Sequence, residues 1–256
     1  MDAEHFEPSR LGTKAHWDSV YRREVANFEE TGDEGEVWFG EDSVEKMVDW
    51  ALENVPASSD PRVLEIGSGN GALLFALREA GYAAPRLSGI DYSPDAVKLA
   101  RSVARARRDG DEEIAFHVCD FLSERPPPLP GQQRDAPGGW DLLLDKGTYD
   151  AISLGEKDGS GGSPVAAYPS RTSSLLKERG YLLITCKAAI RSRSLSLADR
   201  RSAACNFTEE ELKASFVGPE TNFRFHSRVK YPSISFGGKT GSVYTTVAFK
   251  KISEQA

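Results

Sequence analysis

Apolar residues in the first part of the chain recur at helical spacing. A clear stripe runs from Val44 to Val55, with apolar side chains three or four positions apart, and predicts a helix with one buried face. A weaker stripe from Trp17 to Phe28 predicts another helix before it. We therefore expect residues 1–60 to form a helical cap or lid over the rest of the chain.

After Pro61 the pattern changes to short apolar runs separated by glycine turns and helical stretches. The predicted strands are Arg62–Ile66, Arg86–Ile90, Ile114–Val118, Trp140–Leu144 and Gly180–Thr185. Helices are predicted after the first two strands, at Ala72–Ala80 and Pro94–Arg107. Strands that alternate with helices form a parallel sheet with right-handed crossovers.

The end of the chain has a different pattern. Arg228–Ser235 and Ser242–Lys251 are strand-like and are joined by the glycine-rich Gly237–Gly241, which predicts a hairpin. At least one closing strand must then run antiparallel. The fold class is thus α/β, a Rossmann-like seven-stranded sheet of five parallel strands and a C-terminal antiparallel hairpin, with helices on both faces. The Ser-, Ala- and Arg-rich residues 187–204 are predicted to be a disordered insert.

The charge of the chain is uneven. The net formal charge is −7 at pH 7, and residues 29–45 hold eight Asp or Glu and no Lys or Arg. This disfavours nucleic acid as a partner, which needs a positive surface. An acidic rim would attract a lysine-rich partner, although a merely solvated face has the same composition. No apolar run reaches the roughly 18 residues of a membrane span and no signal peptide is visible. We expect a cytoplasmic monomer without a membrane partner.

A glycine-rich turn, Glu65–Gly71, follows the first predicted strand and leads at once into a helix. Its glycines allow a tight turn and close approach to a ligand. By spacing alone the turn also satisfies the dinucleotide fingerprint of a nicotinamide-dependent oxidoreductase. Glu65 opposes that reading, because a carboxylate before the loop repels a pyrophosphate but suits the ammonium and sulfonium of S-adenosylmethionine. The predicted cofactor contacts in this turn are Glu65, Gly67, Ser68, Gly69, Asn70 and Gly71.

Two more acids end the second and third predicted strands. Asp91, followed by Tyr92, can accept hydrogen bonds from ribose hydroxyls, and Asp120 can accept one from the adenine amino group while Phe121 flanks the ring. Either aspartate alone could be a helix cap or a turn residue. Ligands of such sheets bind at the carboxyl ends of the strands, where the three acids would meet. Residues 61–256 are therefore predicted to be an S-adenosylmethionine-binding methyltransferase domain, which leaves S-adenosylhomocysteine as its product.

The end of the fourth strand is where this class of enzyme presents the methyl group, and Asp145 stands there. The run Asp145–Thr148 is not the Asn/Asp-Pro-Pro-aromatic run of enzymes that methylate the amino groups of bases. Asp145 could also be a turn former. Further on, Thr208 and Glu211 form a capping box that predicts a helix start, and Asn206 just before them is a candidate for the substrate side.

The chain resembles the lysine methyltransferases that modify translation elongation factor 1-alpha. The resemblance rests on four segments: Leu11–Lys14 with Trp17, Asp18 and Tyr21; Gly32–Glu41; Gly89–Ser93; and Asp145–Leu154. It implies cofactor binding at Glu65–Gly71, Asp91 and Asp120, and a protein lysine as methyl acceptor. The family's Ser-Cys-Asn-Trp-Thr run appears here as Ala204–Thr208, displaced from Thr185 by the predicted insert.

The resemblance also implies a mechanism. A lysine acceptor must lose a proton, and its free pKa of about 10.4 would fall on burial beside a sulfonium. Asp145, which also borders the cofactor, would orient the amine, and Trp38 or Tyr149 would wall the channel. The predicted catalytic residues are Asp145, Tyr149 and Asn206, and Trp38 is expected to contact the cofactor. A small-molecule N- or O-methyltransferase and a non-catalytic binding module remain as alternatives.

Overall fold

The computed structural model describes residues 9–107, 110–131, 139–156, 163–188, 207–232, 234–236 and 239–253. Two predictions therefore lie outside the described residues. One is the substrate-side role of Asn206, and the other is the disorder of the insert, of which the structure describes Lys187 and Ala188 alone. The division of the chain at residue 60 stays a prediction.

The described residues form seven α-helices and nine β-strands. The helices are α1 (Lys14–Thr31), α2 (Gly40–Asn54), α3 (Ala72–Glu79), α4 (Pro94–Arg107), α5 (Thr148–Ser153), α6 (Tyr168–Leu175) and α7 (Glu209–Phe216). The strands are β1 (Val63–Ile66), β2 (Leu87–Asp91), β3 (Ala115–Val118), β4 (Trp140–Lys146), β5 (Leu176–Lys187), β6 (Phe223–Val229), β7 (Ile234–Phe236), β8 (Lys239–Gly241) and β9 (Tyr244–Lys251). In this part of the chain no helix is both long and apolar enough to cross a membrane.

The main sheet confirms the predicted fold class. Its strand order is β3-β2-β1-β4-β5-β9-β6, the five strands from β3 to β5 run parallel, and β9 is antiparallel to both β5 and β6. Chain order reverses between β1 and β4, and in open α/β sheets the crevice at that reversal is the place where ligands bind. The topology thus predicts a ligand site at the carboxyl ends of β1 and β4.

The predicted hairpin is correct in kind but wrong in its first strand. That strand was expected at Arg228–Ser235, whereas β6 begins at Phe223 and ends at Val229, pairing Phe223 with Lys251 and Val229 with Thr246. Strands β7 and β8 instead form a separate two-stranded sheet. β6 is the edge of the main sheet, so apolar and charged side chains alternate along it. An alternating edge strand lacks the continuous apolar run that marks the buried strands.

Helices cover both faces of the sheet, as predicted, because neighbouring residues of a strand point to opposite sides. On one face Val63 and Leu144 pack in a cluster with residues of α1 to α4. On the other face Leu64 and Leu143 pack with residues of α5, α6 and α7. Met47 of α2 is fully buried in the first cluster, so the N-terminal helices share a core with the sheet and hold their loops against its ligand-binding edge.

Candidate functional site

A cavity of about 410 Å³ opens at the carboxyl ends of the parallel strands. Its floor is the loop after β1, the ends of β2 and β4, the residues that follow β3, and the first turn of α5. Its roof comes from the N-terminal part of the chain. The roof residues, by which we mean those before position 40 that line the cavity, are Leu11, Gly12, Trp17, Tyr21, Glu36, Trp38 and Phe39.

The cavity brings together most of the residues predicted for the site. Those that line it are Trp38, Gly67, Ser68, Gly69, Asn70, Asp91, Tyr92, Asp120 and Phe121. Four others lie behind the lining: Glu65, Gly71, Asp145 and Tyr149. The structure therefore collects the glycine loop and the two strand-end aspartates at one cavity, while it separates the cavity from two of the three residues predicted to be catalytic.

The glycines of the loop are required by close contacts. Gly67 and Gly69 have φ angles of 68° and 53°, in the left-handed region that side chains disfavour. A Cβ atom on Gly67 would lie 2.0 Å from Oγ1 of Thr148, and one on Gly69 would lie 2.5 Å from the Tyr21 hydroxyl. The loop is thus enclosed between α5 below and α1 above, and a side chain at either position would force one of them away.

Asp91 connects the second strand to this loop. Its buried carboxylate accepts hydrogen bonds from the backbone N–H of Ser93 at 2.9 Å and of Gly69 at 3.1 Å. Burial raises the pKa of Asp91 to about 6, against these two bonds, which favour the charged form. A carboxylate has about four acceptor positions. Since Asp91 lines the cavity, its remaining positions are available to hydroxyl groups of a ligand.

Asp120 shapes a turn, which is one of the two roles weighed for it from the sequence. Its exposed carboxylate accepts from the backbone N–H of Leu122 at 3.0 Å and from the Ser123 hydroxyl at 2.8 Å, so it shapes a turn. It also lines the cavity. Phe121 is buried, and its ring meets that of Tyr168 with centroids 4.8 Å apart, so this side of the cavity rests on the second core cluster.

The carboxylate of Asp145 forms its hydrogen bonds with other groups of the protein. It is fully buried and accepts hydrogen bonds from the backbone N–H of Thr148 at 2.8 Å, the backbone N–H of Tyr149 at 3.0 Å and the Tyr168 hydroxyl. Burial raises the pKa of Asp145 to about 6, against these bonds. Tyr149 is buried as well, with its ring 5.2 Å from that of Tyr168 and 5.0 Å from that of Phe207. Both residues hold α5 in place from behind the cavity.

Lys146, the next residue of β4, lines the cavity and has no counterpart among the predicted site residues. Its Nζ donates to the backbone carbonyl of Trp38 at 2.9 Å. Burial lowers the pKa of Lys146, while the negative charges of Glu65 and Asp145 act in the opposite direction. Burial likewise raises the pKa of Glu65, and the charge of Lys146 opposes that rise. Glu65, predicted to face the ligand's positive groups, is thus influenced by the charge of a lysine of the protein itself.

Asp150 is a second lining residue that the predictions left out. It is buried at the start of α5, and its Oδ2 accepts the backbone N–H of Lys187 at 2.7 Å. Burial raises the pKa of Asp150 to about 7, against that hydrogen bond. The only sequence signal for it was its place in the Asp145–Leu154 segment, because the position at the strand end favoured Asp145 instead.

The roof is held by contacts within itself and to the floor. Within the roof, the rings of Trp17 and Trp38 meet edge to face with centroids 4.8 Å apart. The side-chain amide of Asn70, in the glycine loop, donates to the backbone carbonyl of Glu34 at 3.0 Å, and Glu34 pairs with Arg107 of α4 at 2.6 Å. Residues 32–39 therefore cross the glycine loop and complete the cavity with aromatic side chains.

Comparison with known proteins agrees with this geometry. Residues 57–215 match the family described as Methyltransferase domain. The chain is 37% identical to protein-lysine N-methyltransferase efm4 of Schizosaccharomyces pombe over 94% of this chain and 94% of that protein. It is 35% identical to human EEF1A lysine methyltransferase 2 over 96% and 89%. Among solved structures, the N-methyltransferase NodS of Bradyrhizobium japonicum, in complex with S-adenosylhomocysteine, has the same fold, with a TM-score of 0.55, 18% identity, and coverage of 92% and 98%.

Proposed function

Because the chain belongs to the methyltransferase family, and within it to the protein-lysine N-methyltransferases that include efm4 and EEF1A lysine methyltransferase 2, we propose that it methylates a lysine of translation elongation factor 1-alpha. One observation carries the proposal. The similarity to efm4 extends over 94% of both chains, well beyond the 57–215 segment common to methyltransferases. Relatives that share only the cofactor domain would not match over that length.

The lining residues fit S-adenosylmethionine as the methyl donor. Gly67 and Gly69 allow the ligand to approach the backbone closely, at positions where a Cβ atom would collide with Thr148 or Tyr21. Asp91 has acceptor positions for the ribose hydroxyls, and Asp120 lines the same cavity as a candidate acceptor for the adenine amino group. The indole N–H of Trp38 is buried and has no acceptor among the described residues, as expected of a group that a ligand completes. When bound, the donor supplies a methyl group on a sulfonium that an incoming amine displaces.

The protein's part in the reaction is to position a neutral amine. Trp17, Trp38 and Phe39 make the roof aromatic, and exclusion of water lowers the pKa of an amine that enters beneath it. At the α5 end of the cavity Asp150 is the carboxylate that lines it, whereas Asp145 is enclosed behind. We therefore assign orientation of the amine to Asp150, and to Asp145 and Tyr149 the positioning of α5.

The rim of the cavity suits a lysine-bearing protein. Glu36 and Glu156 line it and are exposed, and the exposed Glu41, Asp42 and Glu45 follow on α2. Negative charge at a rim raises the local concentration of basic segments and disfavours nucleic acid. A monomer acting in the cytoplasm, where elongation factors are found, is part of the same proposal, and Asn206 remains a candidate beyond the described residues.

Transfer of tritium from labelled S-adenosylmethionine into purified elongation factor 1-alpha tests the proposal. We expect label in the elongation factor with the wild-type chain and none with Asp91→Ala. Binding of S-adenosylhomocysteine is measured in parallel by calorimetry. If the product binds but no protein is labelled, the protein-lysine assignment is wrong, and small amines and hydroxylated metabolites become the substrates to test.

A further inference from the structure

The lining of the cavity includes one half-buried lysine, Lys146. Of the described residues that line it, Lys146 and Lys187 carry positive charge, and Lys187 is exposed at the rim. Lys146 lies at the end of β4, next to the glycine loop, since Ile66 of β1 pairs with Asp145 in the sheet. The other ionised groups of the lining are carboxylates, namely Glu36, Asp91, Asp120, Asp150 and Glu156. An anionic group of a ligand therefore has one favourable place in the interior of the cavity.

The hydrogen bonds of Lys146 are incomplete. An ammonium has three donors, and among the described residues the bond that Lys146 makes is the one to the Trp38 carbonyl at 2.9 Å. Glu65 acts on it through charge. Trp38 adds a buried indole N–H that also has no acceptor in the described part of the chain. Two neighbouring residues thus present unfilled donors, and donors without acceptors are a receptor for an anion.

Glu65 opposes the effect of burial on Lys146. Burial lowers the pKa of Lys146, and the charge of Glu65, itself only 1% exposed, acts in the opposite direction. The Trp38 carbonyl fixes the direction of the ammonium from the roof side. The amino group of Lys146 is therefore oriented before any ligand arrives, which reduces the entropy lost on binding.

We propose that Lys146 binds the α-carboxylate of the methionine portion of S-adenosylmethionine, and that the indole N–H of Trp38 completes this subsite. The proposal rests on the proposed function, because it takes that compound as the ligand. Adenine and ribose hydroxyls are neutral, so the α-carboxylate is the anionic group of this ligand. Because Lys146 also donates a hydrogen bond to the backbone carbonyl of Trp38, binding of the carboxylate would stabilise the position of residues 32–39 as well.

The test compares two ligands that differ in the carboxylate alone: S-adenosylhomocysteine and its decarboxylated analogue, S-(5′-adenosyl)-3-thiopropylamine. Binding of both is measured by calorimetry to the wild-type chain and to Lys146→Met, Lys146→Arg and Lys187→Met. We expect the wild type to prefer S-adenosylhomocysteine by about 10- to 100-fold, the range of a charged hydrogen bond. Lys146→Met should lose that preference by weakening S-adenosylhomocysteine alone, while Lys146→Arg retains most of it and Lys187→Met all of it.

The possible failures are distinguishable. If Lys146→Met weakens both ligands equally, Lys146 only holds the roof, and the subsite is wrong. The same conclusion follows if the wild type does not discriminate between the ligands. If the wild type binds neither ligand, both the cofactor assignment and the subsite are wrong. If the wild type prefers S-adenosylhomocysteine and Lys146→Met loses that preference, but elongation factor 1-alpha is not labelled, then only the assignment of the protein substrate is wrong.

Discussion

Asp150 accepts a hydrogen bond of 2.7 Å from the backbone N–H of Lys187, so the first turn of α5 is tied to the last residue of β5. The bond uses one oxygen of a buried carboxylate that lines the cavity. It orients the aspartate from behind, as a supporting hydrogen bond orients a functional side chain.

Replacement of Asp150 should reduce turnover without loss of the cofactor. Asparagine keeps an oxygen for the Lys187 bond but removes the charge that attracts the amine. We expect kcat for methylation of elongation factor 1-alpha to fall by about 10- to 100-fold in Asp150→Asn, the size of a misoriented reactant, with the Kd of S-adenosylhomocysteine within threefold. Glu53→Gln is the control, since Glu53 is an exposed carboxylate of α2 that does not line the cavity. An unchanged kcat in Asp150→Asn would remove Asp150 from the reaction.

Replacement of Asp145 should chiefly destabilise the protein. Alanine leaves the backbone N–H groups of Thr148 and Tyr149 and the Tyr168 hydroxyl without their buried acceptor. Each unpaired buried donor costs about 1–3 kcal/mol, so the free energy of unfolding should drop by at least about 2 kcal/mol in urea titrations. A stable Asp145→Ala that binds S-adenosylhomocysteine normally but has lost turnover would restore the catalytic role predicted from the sequence.

The contact between Gly69 and Tyr21 should control access to the glycine loop. In Gly69→Ala the new methyl would lie 2.5 Å from the Tyr21 hydroxyl, and we expect weaker binding of S-adenosylhomocysteine in calorimetry. Adding Tyr21→Phe removes the hydroxyl and should recover part of the affinity. The left-handed backbone, at about 1–2 kcal/mol per residue, keeps the recovery incomplete.

Gly81→Ala is the matched control for that experiment. Gly81 has φ +99°, and a Cβ there would meet nothing within 4 Å, so the substitution adds backbone strain without a collision. It should lower stability and leave the affinity for S-adenosylhomocysteine unchanged. If adding Tyr21→Phe to Gly69→Ala does not restore any affinity for S-adenosylhomocysteine, the contact between Gly69 and Tyr21 does not control access to the loop.

The buried aspartates should make stability depend on pH. The pKa of Asp91 and of Asp145 is raised to about 6 by burial, and that of Asp150 to about 7, above the roughly 3.9 of an unfolded chain. Between these values the folded protein binds more protons than the unfolded chain. The contribution of these groups to the free energy of unfolding is therefore largest below about pH 4 and is lost as the pH rises through 6 to 7.

Comparison of wild type with Asp150→Asn isolates one of these groups. Asparagine does not titrate, so relative to wild type the variant should gain stability between pH 5 and pH 8, measured by urea unfolding at each pH. Other titrating groups contribute equally to both proteins and cancel in the difference. Parallel curves would mean that Asp150 has the same pKa in the folded and unfolded chains.

Local features of the fold were predictable because they depend on short stretches of chain. The helix predicted at Pro94–Arg107 has the observed bounds, and the first four parallel strands were placed within two residues at each end. Strand β5 instead begins at Leu176, four residues before its predicted start and a little before the left-handed Arg179 (φ 66°). The edge strand β6 was misplaced because half of its side chains face solvent and interrupt the apolar pattern.

The sequence by itself determined the first four parallel strands with the helices after the first two, the glycine loop, and the positions of Asp91 and Asp120 at strand ends. Each of these follows from neighbouring residues. Only the tertiary structure decided which groups face the cavity. Asp145 and Asp150 are five positions apart, yet the direction of the β4 side chains and the rotation of α5 enclose the first and present the second. Glu65 and Lys146 come together because β1 pairs with β4, and Trp17 and Trp38 because the N-terminal helices pack on the sheet. Such contacts join residues far apart in sequence, and the packing of the whole core sets them.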